Sequence, residues 1–129
     1  MASVKGRALI VEDDADTAEL LRLHLEQLGF SVVTASDRDT ALGLLHQLPV
    51  ALVLLDRHLG ARDALSLLRE LRRDAVLRDL PVLMISGRSE RAAIAAAYAA
   101  GADGYVTKPY TKNILADVIQ RVLKQESAT

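Results

Sequence analysis

Four acids, a hydroxyl and an ammonium stand directly after apolar runs in this chain. Glu12, Asp13 and Asp14 follow ALIV, Asp56 follows VALVLL, Ser86 follows PVLMI and Lys108 follows GYVT. The run from Val50 to Leu55 holds no polar residue, which suits a strand buried on both faces. An Asp after such a run often does no more than open a loop. In a parallel sheet, however, every strand delivers its following loop to the same edge, the edge where open α/β folds bind ligands. Carboxylates gathered there repel by several kcal/mol at intermediate dielectric unless a cation lies between them. Hard oxygens with room for waters and phosphate oxygens favour Mg²⁺, with Mn²⁺ as its substitute. Asp56 can then attack a phosphoryl group as a carboxylate nucleophile. The metal and Lys108 neutralise the charge that builds on the equatorial oxygens, and Ser86 donates a hydrogen bond. The chemistry predicted is phosphoryl transfer onto an aspartate.

The elements that must position these groups alternate five times between apolar runs and amphipathic stretches, the pattern of repeated βα units. Strands are expected at Ala8–Val11, Ser31–Ala35, Ala51–Leu55, Pro81–Ile85 and Gly104–Thr107. The first helix carries Ala18, Leu21, Leu25 and Leu28 on one face and ends at Gly29. Ser36 with Asp39 resembles a capping box for the second, which carries Ala41, Leu44, Leu45 and Leu48 and closes at Pro49. The third carries Ala64, Leu65, Leu68 and Leu71. The fourth, about Ser89 to Ala100, is alanine apart from Ile94 and Tyr98. Such a helix either grips the sheet weakly and moves, or needs small residues for a close contact. The last follows a Thr111 cap with Ile114, Leu115, Val118, Ile119, Val122 and Leu123 on one stripe.

The 129 residues fit a single domain, with a core spanning about residues 7–125 and no output domain expected. Phe30 and three tyrosines are the only aromatics, so the core must be aliphatic. The chain has no cysteine, which removes disulfides and thiolate chemistry and suits a reducing cytoplasm. No signal peptide or membrane span is read, and a net charge of −1 offers nucleic acid no general attraction. The arginines between Arg57 and Arg78 are interleaved with Asp63, Glu70, Asp74 and Asp79, so a solvated helix face is expected there.

With these motifs assembled, the chain resembles the receiver domains of two-component response regulators, and the resemblance covers nearly its whole length. It rests on LIVEDD at 9–14, VLLD at 53–56, LMISG at 83–87 and GADGYVTKPY at 101–110. It implies a flavodoxin-like fold, a doubly wound five-stranded parallel sheet in the order 2-1-3-4-5. It implies Asp56 as phosphoacceptor, Glu12 and Asp13 as the metal-binding acid pair, and a backbone carbonyl of His58 on Mg²⁺. Ser86 takes the place of the switch hydroxyl, Tyr105 that of the coupled aromatic and Lys108 that of the family's lysine. The Lys108–Pro109 bond is expected to be cis. His58 and Arg88 stand where the family tunes how long the phosphoryl group survives.

The function so implied is a signalling switch rather than an enzyme, one that takes part in its own phosphotransfer and autodephosphorylation. The phosphoryl donor would be a histidine kinase or histidine phosphotransfer protein. A downstream target or output domain would read the face made by the fourth helix, fifth strand and fifth helix. The chain would be a monomer or a weak phosphorylation-dependent dimer. Gly60 and Ala64 depart from the family pattern in the loop after Asp56, and Asp14 reads as a capping or solvent-facing residue beside the acid pair. The alternative is a Mg²⁺-dependent phosphohydrolase using an aspartyl-phosphate. Such enzymes commonly need a second acid two residues after the nucleophile, where this chain has His58. His24 and His46 lie within predicted helices and are expected to be inert.

Overall fold

The computed structural model describes residues 5–56 and 61–127. Five strands, β1 (Arg7–Val11), β2 (Ser31–Ala35), β3 (Leu52–Asp56), β4 (Val82–Ser86) and β5 (Gly104–Thr107), pair in parallel in the order β2-β1-β3-β4-β5. They alternate with α1 (Ala15–Gln27), α2 (Arg38–Gln47), α3 (Ala61–Arg73), α4 (Arg91–Ala100) and α5 (Lys112–Ser127). The predicted fold class and strand order are those observed. His58 and Gly60 lie outside the described residues; Ala64 is fully buried in α3.

Alternation along each strand divides the core into two layers. Leu9, Val11, Val53, Leu55, Val82 and Met84 meet residues of α2, α3 and α4 on one face. Ala8, Ile10, Leu52, Leu54, Leu83 and Ile85 meet α1 and α5 on the other. Every residue of β3 and β4 is buried, including Asp56 and Ser86 at their ends. Aliphatic burial on both faces, at about 0.8 kcal/mol per methylene, is what holds those two polar groups away from water.

The helix ends show how local chemistry sets the loops. Asp14 caps α1, its Oδ2 accepting from the backbone N–H of Thr17 at 2.9 Å and from the Thr17 hydroxyl at 2.6 Å. The cap of α2 is Asp37 rather than Ser36: its carboxylate accepts from the backbone N–H of Thr40 at 2.8 Å and the Thr40 hydroxyl at 3.1 Å. Thr111 caps α5 through the Ile114 N–H, and Gly29 follows α1 with φ of 103°. The apolar stripe of α3 is Ala64, Leu67, Leu68 and Leu71, so Leu67 replaces the expected Leu65, which is half-buried. On α5 Ile114 departs from the stripe and is exposed.

Helix α4 starts at Arg91, two residues later than expected, and its N-cap Glu90 makes no side-chain capping bond. Ala93, Ala97 and Ala100 are its buried residues, and Ala97 joins the cluster of Leu68, Leu71 and Met84. Burial of these alanines against the core is common to both expectations for this helix. The basic residues of α3 are not uniformly solvated either. The Arg72 side chain is only 21% exposed and fully engaged with neighbouring segments. No helix among the described residues is long and apolar enough to cross a membrane.

Candidate functional site

The strand register brings the predicted residues together. Val11 pairs with Leu55, so Glu12 follows beside Asp56; Asp56 pairs with Ile85, next to Ser86; and Ser86 pairs with Thr107, next to Lys108. Lys108 comes from β5, two strands from β3, a separation of about 10 Å at the usual inter-strand spacing. Its long side chain spans this separation to place Nζ 2.5 Å from Asp56 Oδ2. Its backbone N–H is tied to the Ser86 carbonyl at 2.8 Å. The Lys108–Pro109 bond is cis, as expected.

Among the described residues, the site's electrostatics are those of crowded acids compensated by Lys108. Asp56 is 1% exposed and Glu12 4% exposed, whereas Asp13 lies exposed beside them. Burial pushes the Glu12 carboxyl from 4.5 to about 7, helped by the negative charge of Asp56 and opposed by Lys108. Glu12 Oε2 is buried without a hydrogen-bond partner. A buried carboxylate oxygen left unpaired beside a second carboxylate fits a hard divalent cation such as Mg²⁺. Glu12, Asp56 and, from the rim, Asp13 are the side chains that would hold it. Among the described residues these three acids do not form a ready-made cage, and waters would complete the shell.

Ser86 is 2% exposed, and its Oγ accepts from the Arg88 N–H at 3.0 Å. The hydroxyl proton stays available for a further acceptor. Tyr105 is half-buried and its hydroxyl donates to the Arg88 carbonyl at 2.7 Å. Arg88 itself points along the surface, its Nε 3.1 Å from Glu90 Oε2. Asp14 is spent on its cap, as the sequence suggested; Thr17 holds its carboxyl below the usual range. His46 lies 3.3 Å from Asp74 on the far side of the domain.

One residue of the 101–110 motif, Tyr110, was not expected from the sequence to stand beside Asp56. Tyr110 is half-buried after Pro109, its hydroxyl titration pushed up first by burial and then by the charge of Asp56. Its ring stands edge-on to His24 of α1 at 6.3 Å. Its position directly after the Lys-Pro pair was the signal available, since the loop carrying Lys108 must turn at the site's rim.

Residues 8–120 match the family described as response regulator receiver domain. The chain is 37% identical to the phosphate regulon transcriptional regulatory protein PhoB of Klebsiella pneumoniae over 94% of its own length and 53% of that protein. It is 33% identical to the chemotaxis protein CheY of Pseudomonas aeruginosa, covering 92% of this chain and 97% of that one. The chain thus spans about half the length of the transcriptional regulators it matches and nearly all of the chemotaxis protein. Among solved structures, a sensor protein from Polaromonas sp. JS666 superposes with a TM-score of 0.86 at 31% identity, covering 95% of this chain and 98% of that one.

Proposed function

Because this chain belongs to the response regulator receiver domain family of two-component systems, we propose that Asp56 accepts a phosphoryl group from the phosphohistidine of a histidine kinase or phosphotransfer protein. The observation that carries this is the buried Asp56 carboxylate, paired with Lys108 Nζ at 2.5 Å and flanked by Glu12. An Asp56 oxygen attacks phosphorus, an O–P bond forms, and the N–P bond breaks with its electron pair returning to the imidazole. Mg²⁺, when bound, neutralises the transferring group's oxygens. Lys108 stays within reach of one phosphoryl oxygen, and the Ser86 hydroxyl turns its proton to another. His58, through its backbone carbonyl, belongs to the metal set of this reading, and the His58 and Arg88 side chains tune loss of the phosphoryl group to water.

The chain acts as a switch, as its family does, and not as a turnover enzyme. Ser86 and Tyr105 both attach to the backbone of Arg88, so a change at Asp56 reaches the start of α4 through that residue. The α4-β5-α5 face is the output surface, read by a target protein or an attached output domain. Residues 1–129 act as one receiver unit in the cytoplasm, monomeric or weakly dimeric once phosphorylated, without nucleic acid contacts of their own.

The test is incubation with acetyl phosphate and Mg²⁺, followed by intact mass and peptide mapping. One acid-stable, base-labile phosphoryl group on Asp56 is expected. Its persistence in Asp56→Asn would overturn the assignment.

A further inference from the structure

The two ends of α4 are held very differently. At its N-terminus Glu90 offers no capping bond, and the loop from Ser86 is tied by the Ser86 and Tyr105 hydroxyls, both bonded to Arg88. At its C-terminus a single guanidinium gathers four acceptors. Arg72 Nε donates to the Gly101 carbonyl at 2.9 Å, Nη1 to the carbonyls of Arg78 at 2.9 Å and Leu80 at 2.6 Å, and Nη2 to Asp103 Oδ2 at 2.7 Å. The same Asp103 oxygen accepts the Val82 N–H at 2.9 Å, so the fork is locked to the first residue of β4. One side chain of α3 thus fastens the connection into β4 and the connection from α4 to β5. The planar fork with fixed donor directions does this; a lysine ammonium has three donors and no such geometry.

The fit is close on both sides. Gly101 ends α4 at φ of 114°, and a Cβ there would fall 2.6 Å from Arg72 Cγ. The Gly101 N–H bonds the Tyr98 carbonyl and the Ala102 N–H the Ala97 carbonyl, both at 3.0 Å, so the last turn is closed over the fork. Between the two ends, α4 meets the sheet through alanines, which offer little side chain to resist a tilt.

We infer that Arg72 is the positioning residue on which α4 pivots: it pins the C-terminal end of the helix, so that a change at Ser86 and Tyr105 swings the N-terminal end rather than sliding the whole helix. The moving half of this inference rests on the proposed phosphoacceptor reading; the pinned half does not. A pivot converts a small displacement at Ser86 into a change that grows toward Arg91 and vanishes at Gly101.

The experiment uses the full chain as wild type, Arg72→Lys and Asp103→Asn, and follows amide hydrogen exchange by NMR with and without acetyl phosphate and Mg²⁺. Without donor, Arg72→Lys is expected to speed exchange of the Gly101 and Ala102 amides about tenfold or more relative to Ile94 and to β3. Asp103→Asn, which keeps an acceptor oxygen, gives a smaller effect in the same place. With donor, wild-type shift changes should be largest over residues 88–94 and absent by 100–102, and in Arg72→Lys they should run through to 102. Equal acceleration at both ends of α4 would mean general destabilisation and would overturn the pinning, as would no acceleration in either variant. Wild-type changes as large at 100–102 as at 88–94, or none in α4 on a phosphorylated protein, would overturn the pivot. If Asp56 takes no phosphoryl group, the functional reading fails while the exchange without donor still decides whether Arg72 pins the helix.

Discussion

The Tyr105 hydroxyl donates to the backbone carbonyl of Arg88, and through that one bond strand β5 holds the loop that starts α4. Ser86 Oγ takes the N–H of the same residue. Removing the tyrosine bond separates its two consequences. Tyr105→Phe keeps the ring and its packing, so stability should fall by only about 0.5–1.5 kcal/mol in urea denaturation. Phosphoryl acceptance by intact mass should be unchanged, while shift changes at residues 88–91 on phosphorylation should shrink. Unchanged shifts there would remove Tyr105 from the coupling route.

Lys108 neutralises a buried carboxylate, so Lys108→Met should destabilise the metal-free protein at pH 7.5. About 3 kcal/mol is expected, the low end for a buried ion pair that loses one partner, because the lysine side chain is 26% exposed. Saturating Mg²⁺ should narrow the gap by supplying positive charge. Equal stability of the two proteins without metal would show that the pair contributes nothing net.

Glu12 gives the apo protein a pH dependence of definite sign. Its carboxyl is raised in the folded state from 4.5 to about 7, so between those values the native protein holds a proton that the unfolded chain releases. This contribution to stability is full below about pH 4.5 and is lost as pH rises through 7, roughly 3 kcal/mol in all. Glu12→Gln should therefore be the more stable protein at pH 7.5 without metal, with a flatter profile between pH 5 and pH 7.5. Mg²⁺ should raise the Tm of wild type and much less that of the variant. A wild-type profile rising with pH over this window, once other groups are subtracted through the variant, would contradict the raised carboxyl.

Gly101 meets two demands at once, a left-handed backbone and a side chain crossing where a Cβ would stand. Gly101→Ala should cost about 2–4 kcal/mol in urea denaturation. It should also speed exchange of the Ala102 amide, as Arg72→Lys does. A cost below about 0.5 kcal/mol would show that the turn relaxes freely, as an unconstrained surface site would.

The site was legible in the sequence because a parallel sheet turns a linear rule into a spatial one. Asp56, Glu12, Ser86 and Lys108 each stand directly after an apolar run, and the shared edge needs no knowledge of contacts. The fold followed from the same alternation. Arg72 was not legible in this way. Its four acceptors are set by how two loops and a helix end pack around it, and in sequence it is one basic residue among several with acidic neighbours. Asp37 and Ser36 are both good caps, and only the backbone turn decides between neighbours. Ile114 fits the apolar stripe of α5 by spacing yet is 50% exposed in the helix's first turn.

The salt bridge across β4 also orders events in time. Asp56 and Lys108 are separated by 52 residues, and a ribosome adding about 5–20 residues per second takes roughly 3 to 10 s to make that stretch. During that interval the nascent chain already contains Glu12, Asp13 and Asp56 but not the ammonium that offsets them. Any sheet that β1 and β3 form on the ribosome therefore carries unrelieved acid repulsion at its edge. Among the described residues Lys108 is the base paired with Asp56, so until β5 arrives a divalent cation from the cell or a proton on Glu12 would relieve the repulsion, and the charge balance of the finished pocket is also a condition on the order in which the sheet closes.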